Sequence, residues 1–113
     1  MQRNRNDVEL FFDRIVDNNE SIIEVDLVGN KRFLTLTNEE KIKAAESFVL
    51  NTHVTKIKMD ACAIDDEFAI AFAHSLKVNE TIKVIWMDGN ALSGIGITAI
   101  FKVLAENTSV EEI

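Results

Sequence analysis

Hydrophobic residues recur along this chain in a frame that is repeated four times. Copies of the frame start at Asn19, Asn51, Asn79 and Asn107, so the first interval is 32 residues and the next two are 28 each. Apolar residues stand at the third and sixth positions after each Asn, and in the first three copies also at the eighth. Such a fixed period predicts a chain that stacks copies of one supersecondary unit.

The frame continues with Asn30, Cys62 or Asn90, and together these positions match the leucine-rich repeat L-x-x-L-x-L-x-x-N/C-x-L. The alternating first half of each copy predicts a strand and the second half predicts a helix. The first copy carries four extra residues, which we place around the sequence KRFL.

The resulting order, α-(βα)₃-β, predicts an α/β fold. We expect a right-handed, ribonuclease-inhibitor-like leucine-rich-repeat solenoid of about three and a half repeats, with parallel strands and helices alternating along the chain. A single domain would span residues 1–113, with an N-terminal helix at about 6–17. Repeats would start near 19, 51 and 79, with a partial repeat from 107.

Three helices after the strands are predicted from apolar residues spaced by three or four. The expected N-terminal caps are Thr37 with Glu40 as a capping box, Asp65 or Asp66, and Ser93. Each helix ends near the Asn of the next copy, a residue that tolerates the left-handed conformation at a helix C-terminus. The residues that carry the helical period are Ile42, Ala45, Phe48 and Val49; Phe68, Ala69, Phe72, Ala73 and Leu76; and Ile97, Ile100, Phe101 and Leu104.

Side chains alternate along each strand, so one set enters the core and the other points out from the concave face of the sheet. The first two strands place opposite charges side by side, which favours cross-strand pairing. The outward residues of neighbouring strands align as Glu24, Lys56, Val84 and Glu112 in one row, and as Asp26, Lys58 and Trp86 in the next.

Trp86 is the residue that the repeat explains least. It is either a contact residue for a protein partner, as exposed tryptophans often are, or it lies flat over neighbouring aliphatic stems. The candidate partner-binding residues on this face are Asp26, Lys56, Lys58, Val84, Trp86 and Asp88.

The stretch VIWMDGNALSGIG contains two patterns that resemble chemical motifs. Asp88 and Asn90 suggest a calcium loop, but the further oxygen ligands and the bidentate Glu of such a loop do not follow. Gly94 and Gly96 open a helix and formally match the start of a dinucleotide fingerprint. A Gly-x-Gly in one copy only is more typical of a tight entry into a helix.

The remaining candidates for chemistry are also explained by the repeat. Cys62 takes the position whose side chain bonds the turn backbone, so a buried and inert thiol is expected. His53 and His74 occupy unrelated repeat positions without a paired ligand. We therefore predict no catalytic, cofactor-binding or metal-binding residues, no cofactor and no enzymatic activity.

The charge of the chain bears on its partners. A formal net charge of -7 gives no attraction to phosphate backbones or to anionic membranes, so neither nucleic acid nor a membrane is expected as a partner. The single cysteine forms no disulfide framework, and the N-terminal residues lack the apolar segment of a secretory signal. These features favour the cytoplasm.

Four stretches resemble the leucine-rich-repeat domain of the tropomodulin and leiomodin family beyond the repeat frame itself. They are DNNESIIEVDL, NTHVTKIKM, AIAFAHSLKVNETIK and GNALSGIGITAI, within roughly Asp17–Ile113. The resemblance implies a non-enzymatic protein-interaction module of the cytoskeleton that binds actin, in the family at the filament pointed end. It also implies a truncated version of the domain, since the family has further repeats, a C-terminal helix and N-terminal tropomyosin-binding helices. No individual actin contact is transferred.

The last predicted strand suggests an alternative function. Residues Val110–Ile113 would form an edge strand without a following helix, and unpaired strand edges favour association. The chain would then be a structural solenoid building block that self-associates through this C-terminal edge and binds no partner alone.

Overall fold

Helices and short strands alternate along the chain in the computed structural model, which describes residues 6–113. The predicted α/β class with a parallel sheet is confirmed. The elements are α1 (Asp7–Val16), β1 (Glu24–Asp26), α2 (Lys31–Leu34), α3 (Asn38–Glu46), β2 (Lys56–Lys58), α4 (Asp66–Val78), β3 (Val84–Trp86) and α5 (Gly94–Leu104).

The three strands form a parallel sheet in the order β1-β2-β3. Lys56 lies between Glu24 and Val84, and in the next row Lys58 lies between Asp26 and Trp86. These are the rows that the repeat predicts, because equivalent residues of successive copies must lie side by side when the copies stack.

The fourth copy contributes a single bridge rather than a full strand. Glu112 pairs in parallel with Val84, and the Ile85 N–H donates to the Glu112 carbonyl at 2.9 Å. Glu111 extends the contact by donating to the Lys83 carbonyl at 2.7 Å. Within residues 6–113 the sheet therefore has three strands, and the predicted edge strand at Val110–Ile113 is present only as this single bridge.

The core lies between the sheet and the helices. The central strand residues Val25, Ile57 and Ile85 are fully buried. Phenylalanine rings from successive repeats meet edge to face, with Phe48 at 5.9 Å from Phe12 and 5.8 Å from Phe72 between ring centroids. Such ring pairs contribute about 0.5–1.5 kcal/mol each to stability beyond the area they bury. The contacts of Phe48 with Phe12 and Phe72 therefore stabilise the packing of one repeat on the next.

The Asn residues that start the repeats hold neighbouring copies together through their side chains. Asn79 Oδ1 accepts the N–H groups of Thr81 at 2.8 Å and Ile82 at 2.9 Å. Its Nδ2 donates to the carbonyls of Phe48 at 2.8 Å and Asn51 at 2.9 Å in the preceding copy. One buried amide thus satisfies four backbone groups of two repeats.

Asn51, Asn79 and Asn107 each accept two local backbone N–H groups and donate to a carbonyl of the preceding segment, and we call them the asparagine ladder; the Nδ2 of Asn51 donates to the Ile15 carbonyl alone. Asn107 Nδ2 donates to the Leu76 and Asn79 carbonyls, one repeat further along. The ladder residues do not use the left-handed conformation that Asn tolerates, since Asn79 has a φ of −68° and no ladder residue has a positive φ. The amide side chain, rather than tolerance of an unusual backbone, explains why Asn occurs here.

The helix starts follow the predicted caps. Thr37 and Glu40 form the capping box of α3, and Ser93 caps α5. Of the two candidates for α4, Asp65 is the cap and accepts the Phe68 N–H at 3.0 Å. The extra residues of the first copy form the short helix α2.

The helical period is matched by burial only in part. Ile100 is buried, whereas Ile97 is 44% and Phe101 is 59% exposed. Val49 is exposed as well, because it follows the end of α3 in a turn. In α5 the cause is different: α4 covers one side of the helix, and no helix among the described residues covers the other.

Candidate functional site

The outward sheet face consists of the side chains of β1–β3 that point away from the helices. Asp26 and Trp86 are exposed on this face, and Lys56, Lys58 and Val84 are half-buried. Asp88, the sixth predicted site residue, is exposed just beyond the end of β3. The pairing of the strands brings the first five together.

Trp86 is fixed on this face by two kinds of contact. Its Nε1 donates to Glu112 Oε2 at 3.1 Å, and the Lys58 ammonium lies 4.8 Å from the ring centroid. The Lys56 ammonium is 6.0 Å away. The indole thus packs against cationic heads, an arrangement worth about 0.5–1 kcal/mol at exposed sites. With 39% of its surface exposed, Trp86 remains accessible to a partner.

Glu24 forms ion pairs with both lysines of the neighbouring strand. Its carboxylate lies 3.6 Å from Lys58 Nζ and 3.9 Å from Lys56 Nζ. The pairing expected between Asp26 and Lys58 is not among the ion pairs of residues 6–113, because Lys58 turns toward Glu24 and the indole. Asp26 instead accepts the Val28 N–H at 3.3 Å. Exposed pairs of this kind contribute roughly 0.2–1 kcal/mol, so they orient the side chains more than they stabilise the fold.

Asp88 has a structural contact at the end of the sheet. Its N–H donates to Asp60 Oδ1 at 2.7 Å, and its carbonyl accepts the Ala61 N–H at 3.0 Å. Among residues 6–113, no three His, Cys, Asp or Glu side chains come together as they would around a metal ion. Asp88 and Asp60 thus join the turns of two copies.

Asn90 holds the turn inside the repeat. Its Oδ1 accepts the N–H groups of Cys62 at 2.8 Å and Ile64 at 3.0 Å, and its Nδ2 donates to the Met59 and Met87 carbonyls, both at 2.9 Å. These contacts confirm the structural role predicted for this position.

Cys62 is fully buried one repeat earlier, and its Sγ donates to the Leu27 carbonyl at 2.8 Å. Burial raises the pKa of the Cys62 thiol above its ordinary value. A raised pKa keeps the thiol protonated, and the thiolate is the reactive form. This environment agrees with an inert structural cysteine.

The contact of Asp66 with the start of α5 is what sequence reasoning missed, since the sequence offered Asp66 only as a possible cap of α4. Its Oδ1 accepts the N–H groups of Ser93 and Gly96, both at 2.9 Å, and its Oδ2 accepts the Ser93 hydroxyl. The hydrogen bond from the Ser93 side chain, followed by those from the Ser93 and Gly96 backbone, lowers the pKa of Asp66 below its usual value. The signal in the sequence was an acidic residue placed about one repeat before the Gly-x-Gly.

This contact explains the Gly-x-Gly. The N-terminus of α5, where an anion would bind, already holds the Asp66 carboxylate. A Cβ on Gly96 would collide with Asp66 Oδ1 and lie 3.0 Å from Leu92 Cδ2 and 3.2 Å from Ala69 Cβ. Gly96 is therefore needed for close packing between copies.

Comparison with known families decides what kind of repeat protein this is. The model of the tropomodulin/leiomodin leucine-rich domain matches residues 4–113. The chain belongs to this family. Human leiomodin-1 is 32% identical over 101 residues, which is 89% of this chain and 16% of the relative, and human leiomodin-2 is 32% identical over 106 residues, 94% and 19%. The chain thus spans less than a fifth of these curated relatives.

Solved structures of the family have the same fold as this tropomodulin/leiomodin domain. Leiomodin-1 actin-binding site 2 superposes with a TM-score of 0.88 at 29% identity, over 96% of this chain and 61% of the other. The tropomodulin C-terminal domain of Caenorhabditis elegans superposes at 0.82 over 95% and 62%, and its 18% identity makes it evidence for the fold alone. None of the helices in residues 6–113 has the length and apolar character of a membrane span.

Proposed function

We propose that this chain is a non-enzymatic protein-interaction module that binds actin, at the filament pointed end or in a related cytoskeletal setting. The observation that carries the proposal is the similarity, over 96% of this chain, to the structure of leiomodin-1 actin-binding site 2. A cytoplasmic, cytoskeleton-associated location follows from the same proposal.

The partner would contact the outward sheet face through Asp26, Lys56, Lys58, Val84, Trp86 and Asp88. Trp86 supports this choice, because tryptophan is enriched at the centres of interfaces and this indole is already held by Glu112 and Lys58. A side chain ordered before binding loses little conformational entropy on association. Lys56 and Lys58 would add cationic contacts beside it.

The non-enzymatic character is supported by the roles of the residues that first suggested chemistry. Cys62 is buried with a raised thiol pKa, and the Asp66 carboxylate fills the helix N-terminus behind the Gly-x-Gly. Each of these groups is engaged in contacts between repeats.

The architecture we propose is one domain over residues 1–113, a right-handed solenoid of about three and a half repeats. The parallel strand order, the ladder at Asn51, Asn79 and Asn107, and the general preference of β-α-β crossovers for the right hand support it.

Cosedimentation with actin filaments and the rate of pointed-end growth test the function. We expect the wild-type chain to pellet with filaments or to slow pointed-end growth. Trp86→Ala should weaken binding roughly tenfold or more, since truncating a contact hot spot costs about 2 kcal/mol. Ile70→Ala on α4 is the matched control, because Ile70 and Trp86 are both 39% exposed and Ile70 lies on a helix. Absence of any wild-type effect would reject actin binding, and equal affinity of both variants would reject the outward sheet face.

We propose self-association through the C-terminal edge as a second function, in which the chain acts as a building block. The exposed apolar face of α5, with Ile97 and Phe101, favours it. Glu112 bonds to β3 on one side.

A further inference from the structure

Exposed aliphatic side chains follow one another where α1, α3 and α4 end. We call them the apolar strip, and they are Val16, which is 64% exposed, Leu50, which is 76% exposed, and Val78, which is 53% exposed. Helix α3 packs between α1 and α4, and α4 packs between α3 and α5. The exposure of Leu50 and Val78 therefore does not arise at an end of the chain.

The asparagine ladder places the members of the apolar strip side by side. Asn51 Nδ2 donates to the Ile15 carbonyl at 3.0 Å, and Asn79 Nδ2 donates to the Asn51 carbonyl at 2.9 Å. Each of these three residues is next in the sequence to a member of the strip. The strip is thus continuous across three helix ends, and contiguous apolar surface marks an interaction site where scattered single residues do not.

A groove between α1 and α3 opens beside the apolar strip. It has a volume of about 760 Å³, and Val16 belongs to both the groove and the strip. Thr37 at the start of α3 and Ser47 just beyond its end both line the groove, so it runs the length of this helix. The buried apolar side chains that line it are Phe12, Leu36 and Ala44.

The charges around this groove are mostly negative, and we call it the acidic groove. Among the described residues its lining has five carboxylates and one ammonium group, namely Glu9, Asp13, Glu39, Glu40 and Glu46, and Lys43. Glu9 and Glu40 are held in place by the capping boxes of their helices. Helix C-termini carry a partial negative charge, so the ends of α1, α3 and α4 extend the negative potential along the strip.

We propose that the acidic groove and the apolar strip bind a basic amphipathic helix of a partner protein. Apolar residues of that helix, at i, i+3, i+4 and i+7, would pack on the groove floor and the strip, as in other helix-in-groove contacts. Its lysines and arginines would lie beside the carboxylates. Charge complementarity selects this occupant, because an acidic helix or an anionic membrane would be repelled.

This surface lies on the helix side of the molecule, whereas the outward sheet face points away from the helices. The inference therefore goes beyond the proposed actin binding and does not rest on it. A partner held here would leave Trp86 and its neighbours accessible.

Fluorescence anisotropy of a dye-labelled peptide tests the proposal with the 113-residue chain. The probe is a helix of about 18 residues made of leucine and lysine, with leucines at i, i+3, i+4 and i+7. The matched peptide has glutamate in place of lysine. We expect saturable binding of the lysine peptide that weakens with added salt, since salt screens opposite charges, and no binding of the glutamate peptide. Equal binding of the two peptides, or no binding of the lysine peptide, would overturn the proposal.

Matched substitutions locate the bound peptide. Val78→Lys should weaken binding roughly tenfold or more, because it places a cation in the apolar strip. Val28→Lys is its control, since Val28 is 49% exposed and follows β1 at the opposite edge of the parallel sheet. Glu39→Lys in the first turn of α3 should weaken binding several-fold, whereas Glu67→Lys in the first turn of α4 should not. Equal losses within each pair would reduce the effect to net charge and contradict the assigned surface.

Other occupants of this surface would give different results. Binding that appears only after Arg3 and Arg5 are both changed to Gln would assign the acidic groove to the chain's own N-terminal residues. A dimer that binds no peptide, and that Val78→Lys but not Val28→Lys makes monomeric in sedimentation, would assign the strip to a second copy. Loss of peptide binding in Trp86→Ala would place the peptide on the outward sheet face. Each of these results would overturn the proposal.

Two further points keep the test interpretable. Far-ultraviolet circular dichroism of each variant confirms that it is folded. Actin is absent from the measurement, so failure of peptide binding leaves actin binding to its own test.

Discussion

Asp66 and Gly96, which are 30 residues apart, join two repeats through a hydrogen bond of 2.9 Å from the Gly96 N–H to Asp66 Oδ1. The same carboxylate oxygen accepts the Ser93 N–H. The first turn of α4 thereby caps the first turn of α5. The Gly-x-Gly that resembles the start of a dinucleotide fingerprint therefore serves as a contact between two repeats.

Gly96→Ala should destabilise the chain by about 1–3 kcal/mol, as forcing extra atoms into a packed site does. The added Cβ would meet Asp66, Leu92 and Ala69, and so would separate α4 from α5. Gly94→Ala is the control, since nothing lies within 4 Å of its Cβ position. Urea unfolding measures both. Equal stability of the two variants would show that the helices can move apart without loss.

The lowered pKa of Asp66 predicts a pH dependence with a definite sign. Hydrogen bonds from Ser93 and Gly96 favour the charged carboxylate in the folded state. Its contribution to stability is therefore fully present above the pKa of an unfolded Asp, about 3.9, and is lost as the pH falls through the lower folded pKa. Asp66→Asn should remove this dependence, so the wild-type advantage should be present at about pH 6 and shrink toward about pH 2. The exposed substitution Glu67→Gln is the comparison, and an advantage that does not change with pH would contradict the assignment.

Much of the fold could be predicted because the repeat fixes which residues become neighbours. Equal positions in successive copies are enough to place Lys58 beside Trp86 and Asn90 beside Cys62. The register, the inward strand residues and most caps follow from that single constraint. The repeat does not determine which neighbour each of these side chains bonds to.

The side-chain partners could not be predicted, because the repeat places several possible partners next to each side chain. From the strand register alone Lys58 could pair with Glu24 or with Asp26; in the structure it pairs with Glu24, and its ammonium lies against the Trp86 ring. The helix-end Asn was assigned to backbone conformation, whereas its amide bonds the preceding copy at Phe48 and Asn51. The sequence pattern of a single copy does not indicate which residues contact the next copy. The contact of Asp66 with Ser93 and Gly96 was missed for this reason.

The asparagine ladder should contribute strongly to stability where it is buried. Asn79→Ala removes four hydrogen bonds to backbone groups and leaves those buried groups without partners, each costing about 1–3 kcal/mol when unsatisfied. We expect a total loss of at least ~3 kcal/mol in urea unfolding. Asn107→Ala makes the equivalent change at a half-buried position, where water replaces part of the contacts, so its loss should be smaller. Similar losses for both would argue against burial as the cause.

Cys62 should react with a thiol reagent only when the chain unfolds. Its side chain is inaccessible and its thiol pKa is raised by burial, so both contact with the reagent and the thiolate population are reduced. Labelling with Ellman's reagent should be slow in buffer and should follow the urea transition. Asn90→Ala removes the acceptor for the Cys62 N–H and should speed labelling in buffer. Rapid labelling of the wild-type chain without denaturant would contradict the structural role.

Glu112 should control how Trp86 is presented to solvent with little effect on stability. The hydrogen bond from Trp86 Nε1 to Glu112 Oε2 is exposed, and Lys58 covers the ring independently of it. Glu112→Ala should therefore change the free energy of unfolding by less than ~1 kcal/mol, while acrylamide quenches the indole more readily. The measurement is direct because Trp86 is the only tryptophan in a chain without tyrosine. Glu111→Ala is the neighbouring control, since its backbone rather than its side chain bonds Lys83. If quenching were the same in Glu112→Ala and wild type, the hydrogen bond would not hold the ring, and the claim that the outward sheet face is ordered before binding would lose its basis.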